Sequence, residues 1–269
     1  MPETYFQMKK ERIDKLLLEQ GFADSPLKAQ ALIMSGVVLV NEKRIEKPSE
    51  SFRSDAIIRI KGKADEIKYV GRGGLKLEKA LEEFHICPSE YICLDVGAST
   101  GGFTDCLLQN DAKKIFAIDV GTNQLVWKLR NDERIEVREN VNARYLKPED
   151  FNVEFDLIVM DVSFISVTKI IPALKDLLSE NGKIIILIKP QFEVSKGEVG
   201  KGGIVKDEAK HAEVIERINN FATEIGLENF GLIDSPILGA DGNKEFLALY
   251  VKAKSPRVSK GKENSNSEK

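Results

Sequence analysis

The stretch LDVGASTGGFTD, Leu94 to Asp105, decides how this chain is built. An apolar run, YICLDVG, leads into it, and a helical run, FTDCLLQND, follows. A glycine-rich turn between a strand and a helix lets a ligand approach backbone amides closely. The loop ends Gly101-Gly102-Phe103, so it lacks the Gly-Lys-Ser/Thr that grips a triphosphate. Its spacing, Gly97-Ala98-Ser99-Thr100-Gly101-Gly102, also misses the G-x-G-x-x-G of dinucleotide sites. What remains is an acidic residue, Asp95, then a tight turn of small residues. One strand later FAIDVG places Asp119 at a strand end, where a carboxylate takes the two ribose hydroxyls of an adenosine. Together these predict an S-adenosylmethionine site made by Asp95, Gly97, Ala98, Ser99, Gly101, Gly102, Phe103, Asp119 and Val120. The alternative is a turn that needs small residues only for packing.

Around the loop, apolar runs alternate with amphipathic ones. Strands are predicted at 91–96, 114–119, 135–139, 155–160, 183–188, 229–233 and 245–252. Helices are predicted at 101–110, 123–130, 167–180 and 205–225, with another in LKLEKALEEFH before the first strand. That alternation predicts an α/β fold with a doubly wound parallel sheet, and the short link between the last two strands predicts an antiparallel pair. Upstream, residues 9–68 hold shorter elements. KKERIDKLLLEQG reads as a helix stopping at Gly21. SPLKAQALIMSG begins with a Ser25 cap and Pro26 at the first helical position, and stops at Gly36. VVLVNEKRI reads as a strand, turn and return, and AIIRIKG as another strand, which makes a small α+β unit. Residues 254–269 carry almost no apolar side chains and read as a disordered basic tail.

Composition excludes several classes. No apolar run reaches the ~18 residues of a membrane span, and the first residues lack a signal-peptide core, so a cytoplasmic protein is expected. The three cysteines, Cys87, Cys93 and Cys106, read as free thiols of a reducing compartment. With only His85 and His211 besides, no metal site is expected. The net charge is −3, but unevenly spread: residues 1–68 carry +2 and residues 252–269 carry +4, leaving an acidic middle. A small basic module joined to an acidic catalytic domain accounts for this asymmetry.

Ligands in open α/β sheets bind outside the carboxyl ends of the strands. FDLIVMDVSF ends a strand at Asp161, and KIIILIKPQFE ends one at Lys189. Glu245 opens the last strand, and Lys76 lies in GRGGLKLEKAL. An ionisable residue directly after an apolar run is costly unless paired or functional. Each alone is as consistent with a salt bridge as with catalysis.

The chain resembles the TlyA family over nearly its whole length outside the two ends. That family comprises haemolysin A-like ribosomal RNA 2′-O-methyltransferases with an S4 RNA-binding domain fused to an FtsJ-like methyltransferase domain. The residues carrying the likeness are DVGASTGGFTD, the set Lys76, Asp161, Lys189 and Glu245, and at the N-terminus RIDKLLLEQG, KAQALIMSGVVLVN and KP. One departure is Pro26, where S4 modules commonly carry an arginine. The resemblance implies a Rossmann-like class I methyltransferase fold over residues 69–253, preceded by an S4-like domain over residues 9–68. It implies S-adenosylmethionine as cofactor and ribosomal RNA as partner, with a cytidine of 16S or 23S rRNA as acceptor. The four residues match the Lys-Asp-Lys-Glu tetrad of FtsJ-like enzymes, and the RNA contacts would be Lys9, Lys10, Arg12, Lys15, Lys28, Lys43 and Arg44.

A ribose hydroxyl is a poor acid, so its methylation needs a base or an orienting group. A buried lysine serves either role, and Lys189 is the candidate, with Asp161 and Glu245 orienting it and Lys76 balancing charge. Adjacent carboxylates favour the charged lysine, which shifts the weight toward positioning. Other acceptors fit less well. Amine methylation often uses an Asn/Asp-Pro-Pro-aromatic corner, and Asp161-Val162-Ser163-Phe164 has no prolines. Carbon methylation of pyrimidines needs a cysteine nucleophile, and none follows Cys106. An RNA-binding protein with an inactive methyltransferase fold is disfavoured by the intact tetrad. A pore-forming toxin is disfavoured by the missing amphipathic membrane stretch.

Overall fold

The computed structural model describes residues 10–41, 43–54, 56–61, 68–239 and 242–253. Lys9 and the 254–269 tail lie outside the described residues.

The N-terminal elements are β1 (Lys10–Arg12), α1 (Ile13–Glu19), α2 (Pro26–Met34), β2 (Val38–Val40), β3 (Lys43–Arg44), β4 (Ser51–Arg53) and β5 (Ile58–Ile60). Ser25 caps α2 by accepting from the Lys28 amide at 3.3 Å, and Pro26 supplies a preset helical φ at its first position. Ile13, Leu16 and Leu17 of α1 pack with Ala29, Leu32 and Ile33 of α2 against Val38, Val40 and Ile58. β2 pairs antiparallel with both β3 and β5. The helix expected to begin at KKER starts only at Ile13. Residues Lys10–Arg12 instead pair antiparallel with Ser51–Arg53, because a hydrogen-bonding strand edge outweighs the helical propensity of a charged triplet.

The larger unit holds α3 (Gly73–Glu83), β6 (Ile92–Val96), α4 (Gly102–Gln109), β7 (Lys114–Ile118), α5 (Trp127–Arg130), β8 (Ile135–Arg138), β9 (Phe155–Met160), α6 (Ile171–Lys175), β10 (Leu178–Ile188), α7 (Pro190–Glu193), α8 (Glu208–Glu224), β11 (Leu227–Asp234) and β12 (Phe246–Lys252). The sheet runs β11-β12-β10-β9-β6-β7-β8. The β10-β9-β6-β7-β8 run is parallel, and β12 is antiparallel to both its neighbours. The expected antiparallel pair is present at the end of the sheet as β11 and β12, with β12 between β10 and β11. This is the mixed, mostly parallel sheet of class I methyltransferases.

Both faces of the central strands are buried. Leu94, Val96, Ile158, Met160, Ile184 and Ile186 face one core. Cys93, Leu157, Val159, Ile185 and Leu187 face the other, packed on α3 and α4. Cys93 and Cys106 are buried free thiols, whereas Cys87 is exposed. Two helices are shorter than expected. The 167–180 segment forms a 3-10 turn, then α6, and by Leu178 has joined β10; Phe155, whose carbonyl abuts Gly182, pairs with Leu178. Residues 123–126 precede α5 as irregular backbone, with Asn123 at φ 54°.

Candidate active site

The loop after β6 is shaped by close approaches. Gly97, at φ 83°, faces the Asp161 carbonyl, and a Cβ there would stand 2.4 Å from that oxygen. Gly101, at φ 101°, leaves no room for a Cβ against Leu129 and Leu125. The turn so formed opens on a cavity of about 430 Å³ at the carboxyl ends of β6, β9 and β10. Gly97, Ala98, Ser99, Gly102 and Phe103 line it, as do all four of Lys76, Asp161, Lys189 and Glu245.

Those four form two ion pairs. Lys76 Nζ lies 2.5 Å from Glu245 Oε2, both side chains being buried, and Lys189 Nζ lies 2.5 Å from Asp161 Oδ1. Lys189 also donates to Ser163 Oγ at 3.0 Å. The expectation that both carboxylates orient Lys189 is therefore corrected: Glu245, the residue just before β12, takes Lys76 of α3. Gly239 makes this possible, since a Cβ there would stand 2.0 Å from Glu245 Oε1.

The expected cofactor residues divide. Asp119 lies beside the loop and accepts from the Ser99 amide at 2.8 Å and the Gly121 amide at 2.7 Å. It clasps the two turns together, with carboxylate lone pairs left for a further donor. Asp95 is fully buried beneath the loop and does not line the cavity. It accepts from Thr104 Oγ1 at 2.6 Å, and burial pushes its carboxyl up to about 7 against that hydrogen bond. Gly101 sits behind the turn against Leu129, and Val120 is 73% exposed beyond it.

Several lining residues escape a sequence reading. Phe164 is 90% exposed, stands at φ 65°, and packs against Phe192 with ring centroids 4.9 Å apart and ring planes tilted by 51°. A bulky residue at positive φ is strained, and an aromatic left that open beside two ion pairs offers a face to a planar ligand. Gln191 Oε1 is buried and has no hydrogen-bond donor among the described residues, so the wall offers an acceptor in waiting. Glu46 and Met34 bring the N-terminal unit to the rim, where Arg72 of the larger unit also lies. Only the placement of Phe164 directly after an acidic strand end hints at any of these.

The residues expected to touch RNA are dispersed. Lys10 and Arg12 lie on β1, and Arg12 pairs with Asp14 at 2.6 Å. Lys15 faces Glu11 and Lys28 faces Asp24, one helical turn away. Lys43 is exposed on β3. Arg44 reaches toward the cavity, 3.1 Å from Glu46 Oε1.

Residues 69–252 match the FtsJ-like methyltransferase model, and residues 11–58 match the S4 domain model. Hemolysin A of Brachyspira hyodysenteriae is 44% identical over 89% of this chain and 99% of its own length. The chain belongs to the TlyA/hemolysin A family. Another relative is the 16S/23S rRNA (cytidine-2′-O)-methyltransferase TlyA of Mycobacterium tuberculosis, 39% identical over 93% of this chain and 92% of its own. A solved hemolysin-like chain from Streptococcus thermophilus superposes with a TM-score of 0.72 at 45% identity, covering 93% of this chain and 90% of that one.

Membership of this family implies S-adenosylmethionine as the cofactor, and the residues present fit it. The cavity lies within the ~300–1,000 Å³ range of small-molecule sites. It is walled by a glycine turn that excludes side chains, and it presents an unpartnered acceptor at Gln191.

Proposed function

We propose that this protein is an S-adenosylmethionine-dependent 2′-O-methyltransferase acting on a cytidine of ribosomal RNA. One observation carries the reading: Lys76, Asp161, Lys189 and Glu245, from four separate elements, converge as two ion pairs on the cavity beside the glycine turn. The turn residues Gly97, Ala98 and Ser99 and the Asp119 carboxylate hold the cofactor, which supplies an electrophilic methyl group on a sulfonium.

The residues act on the acceptor. Lys189 Nζ, fixed between Asp161 and Ser163, orients the ribose 2′-oxygen for in-line attack. Bound S-adenosylmethionine would supply the methyl group to that oxygen, and the hydroxyl proton would leave toward the Asp161 carboxylate of the Lys189–Asp161 pair. Lys76 and Glu245 line the same cavity as a neutral pair, which fixes the field there without adding net charge. Phe164, packed against Phe192, supplies an aromatic face for the target base. The S4-like unit over residues 9–68 brings the RNA, the 69–253 unit carries the reaction, and Lys10, Arg12, Lys15, Lys28, Lys43 and Arg44 are the candidate RNA contacts.

The test is methyl transfer from labelled S-adenosylmethionine to ribosomal subunits, with the modified nucleotide located by mass mapping. Lys189→Ala is expected to lower transfer by at least ~100-fold, the usual weight of a positioned proton-transfer group, while cofactor binding by calorimetry stays near wild type. Near-normal turnover in that variant would make Lys189 structural only.

A further inference from the structure

A second groove, of about 860 Å³, opens next to the catalytic cavity and shares Glu46, Arg72 and Gly239 with it. One wall belongs to the S4-like unit and the other to the turn before β12, where Leu238 is exposed. Three cations line it: Arg44, Lys47 and Arg72. Two of them share a single partner. Arg44 Nη2 and Arg72 Nη2 each lie 3.1 Å from the same oxygen, Glu46 Oε1. Arg44 comes from β3, whereas Arg72 immediately precedes α3, one helical turn before Lys76. Arg44 lies so close over Gly36 that a Cβ there would overlap its guanidinium. Two guanidinium groups from two units thus converge on one anionic oxygen, which is the disposition that binds a phosphodiester.

We propose that this groove seats the phosphodiester adjoining the target nucleotide, and that Glu46 occupies the phosphate's place until RNA displaces it. The inference rests on the RNA methyltransferase reading above and adds a site to it. The groove adjoins the catalytic cavity and shares three lining residues with it, which points to the RNA strand carrying the target nucleotide as its occupant. Charge complementarity sets what it touches: Arg44 and Arg72 exchange a carboxylate for a phosphate. Because Arg44 and Arg72 come from different units, the exchange also keeps the S4-like unit closed on the catalytic one while RNA is bound. Glu46 then acts as a gate on non-specific RNA: a ligand reaches these two guanidinium groups only by displacing it.

The test uses the full chain and a short single-stranded RNA, with affinity measured by fluorescence anisotropy across a salt series. Glu46→Gln is expected to tighten binding several-fold with the salt dependence little changed, because the same phosphate is seated in both proteins. Glu50→Gln removes the same charge from the same groove and is expected to do much less. In an Arg44→Gln background the tightening from Glu46→Gln should largely vanish, because the phosphate's partner is gone. Equal effects of Glu46→Gln and Glu50→Gln, or a tightening that persists without Arg44, would overturn the proposal in favour of a general charge effect. Weaker RNA binding by Glu46→Gln, with an unchanged melting temperature, would overturn it, because Glu46 would then be orienting the two arginines for RNA and not excluding it. Methyl transfer by the wild-type chain is scored separately. Its absence would sink the enzymatic reading, whereas the binding results sink or support only the gate.

Discussion

Burial holds the proton on Asp95 up to about 7, so this carboxyl is a stability element as well as part of the loop's foundation. In the unfolded chain it releases its proton near the ordinary ~3.9. Between those values the folded protein binds one more proton than the unfolded one, so stability falls as pH rises through the window. Asp95→Asn keeps an acceptor for Thr104 and removes the titration. Its melting temperature relative to wild type is expected to climb between about pH 4 and pH 7 and to level off above, and a difference that does not move with pH would refute this account. Gly101 is a second sensitive position. Gly101→Ala places a Cβ at φ 101° against Leu129 Cδ1, and the backbone conformation alone costs about 1–3 kcal/mol. Urea denaturation should show at least that loss. At this scale the glycine turn and the four ionisable residues are legible in the sequence, because a charge placed directly after an apolar run must be paired or used. The expectation for Asp95 points it toward the cavity, since sequence shows adjacency to a turn but not which way the side chain faces. Gln191 and Phe164 are silent in the sequence: burial makes one significant, and exposure the other.

At the scale of elements, the turn between β9 and α6 carries Asp161, Ser163 and Phe164, and its shape depends on α7. Glu193 of α7 accepts from Ser166 Oγ at 2.7 Å and from the Val167 amide at 2.8 Å, with Arg217 donating to the Glu193 carbonyl at 2.6 Å. Burial raises the Glu193 carboxyl while these donors lower it, so the fold maintains a buried acceptor here for the sake of the turn. Glu193→Ala leaves the buried Val167 amide unsatisfied and should cost about 1–3 kcal/mol. It should also lower kcat for methyl transfer, with cofactor affinity little changed. Glu193→Gln should recover most of both, and unaltered kcat in the alanine variant would refute the clamp. Strands are legible at this scale to within a few residues because both faces of the sheet are buried and the apolar runs are continuous. The short pieces are not. β1 is three charged residues whose strand character comes entirely from pairing with β4. The 167–180 run has helical apolar spacing, yet Leu178 is captured by β9, a tertiary contact that periodicity cannot display.

For the molecule as a whole, the uneven charge and the two family matches argue for a division of labour between a basic reader and an acidic catalyst. The junction between them is not a free linker. Tyr69 is buried, the Val70 amide donates to Asp105 Oδ2 at 2.9 Å, and Gly71 lies against Thr100 of the glycine turn. These residues therefore belong to the catalytic unit, and α3 with Lys76 follows directly. A chain beginning at Lys63 keeps every one of these contacts and the core on both faces of the sheet. It loses the S4-like unit, its cations and the Glu46–Arg72 contact across the groove. Phosphate contacts supply much of RNA affinity and nearly all of its salt dependence. The shortened chain should thus bind S-adenosylmethionine within a few-fold of the full chain by calorimetry, yet fail to methylate ribosomal subunits and show a flat salt dependence in RNA binding. Charge reversal at Lys10 and Arg12 in the full chain should weaken RNA binding in the same direction with the cofactor site untouched. A shortened chain that methylates ribosomal RNA as fast as the full one would mean that the acidic unit recognises its substrate unaided.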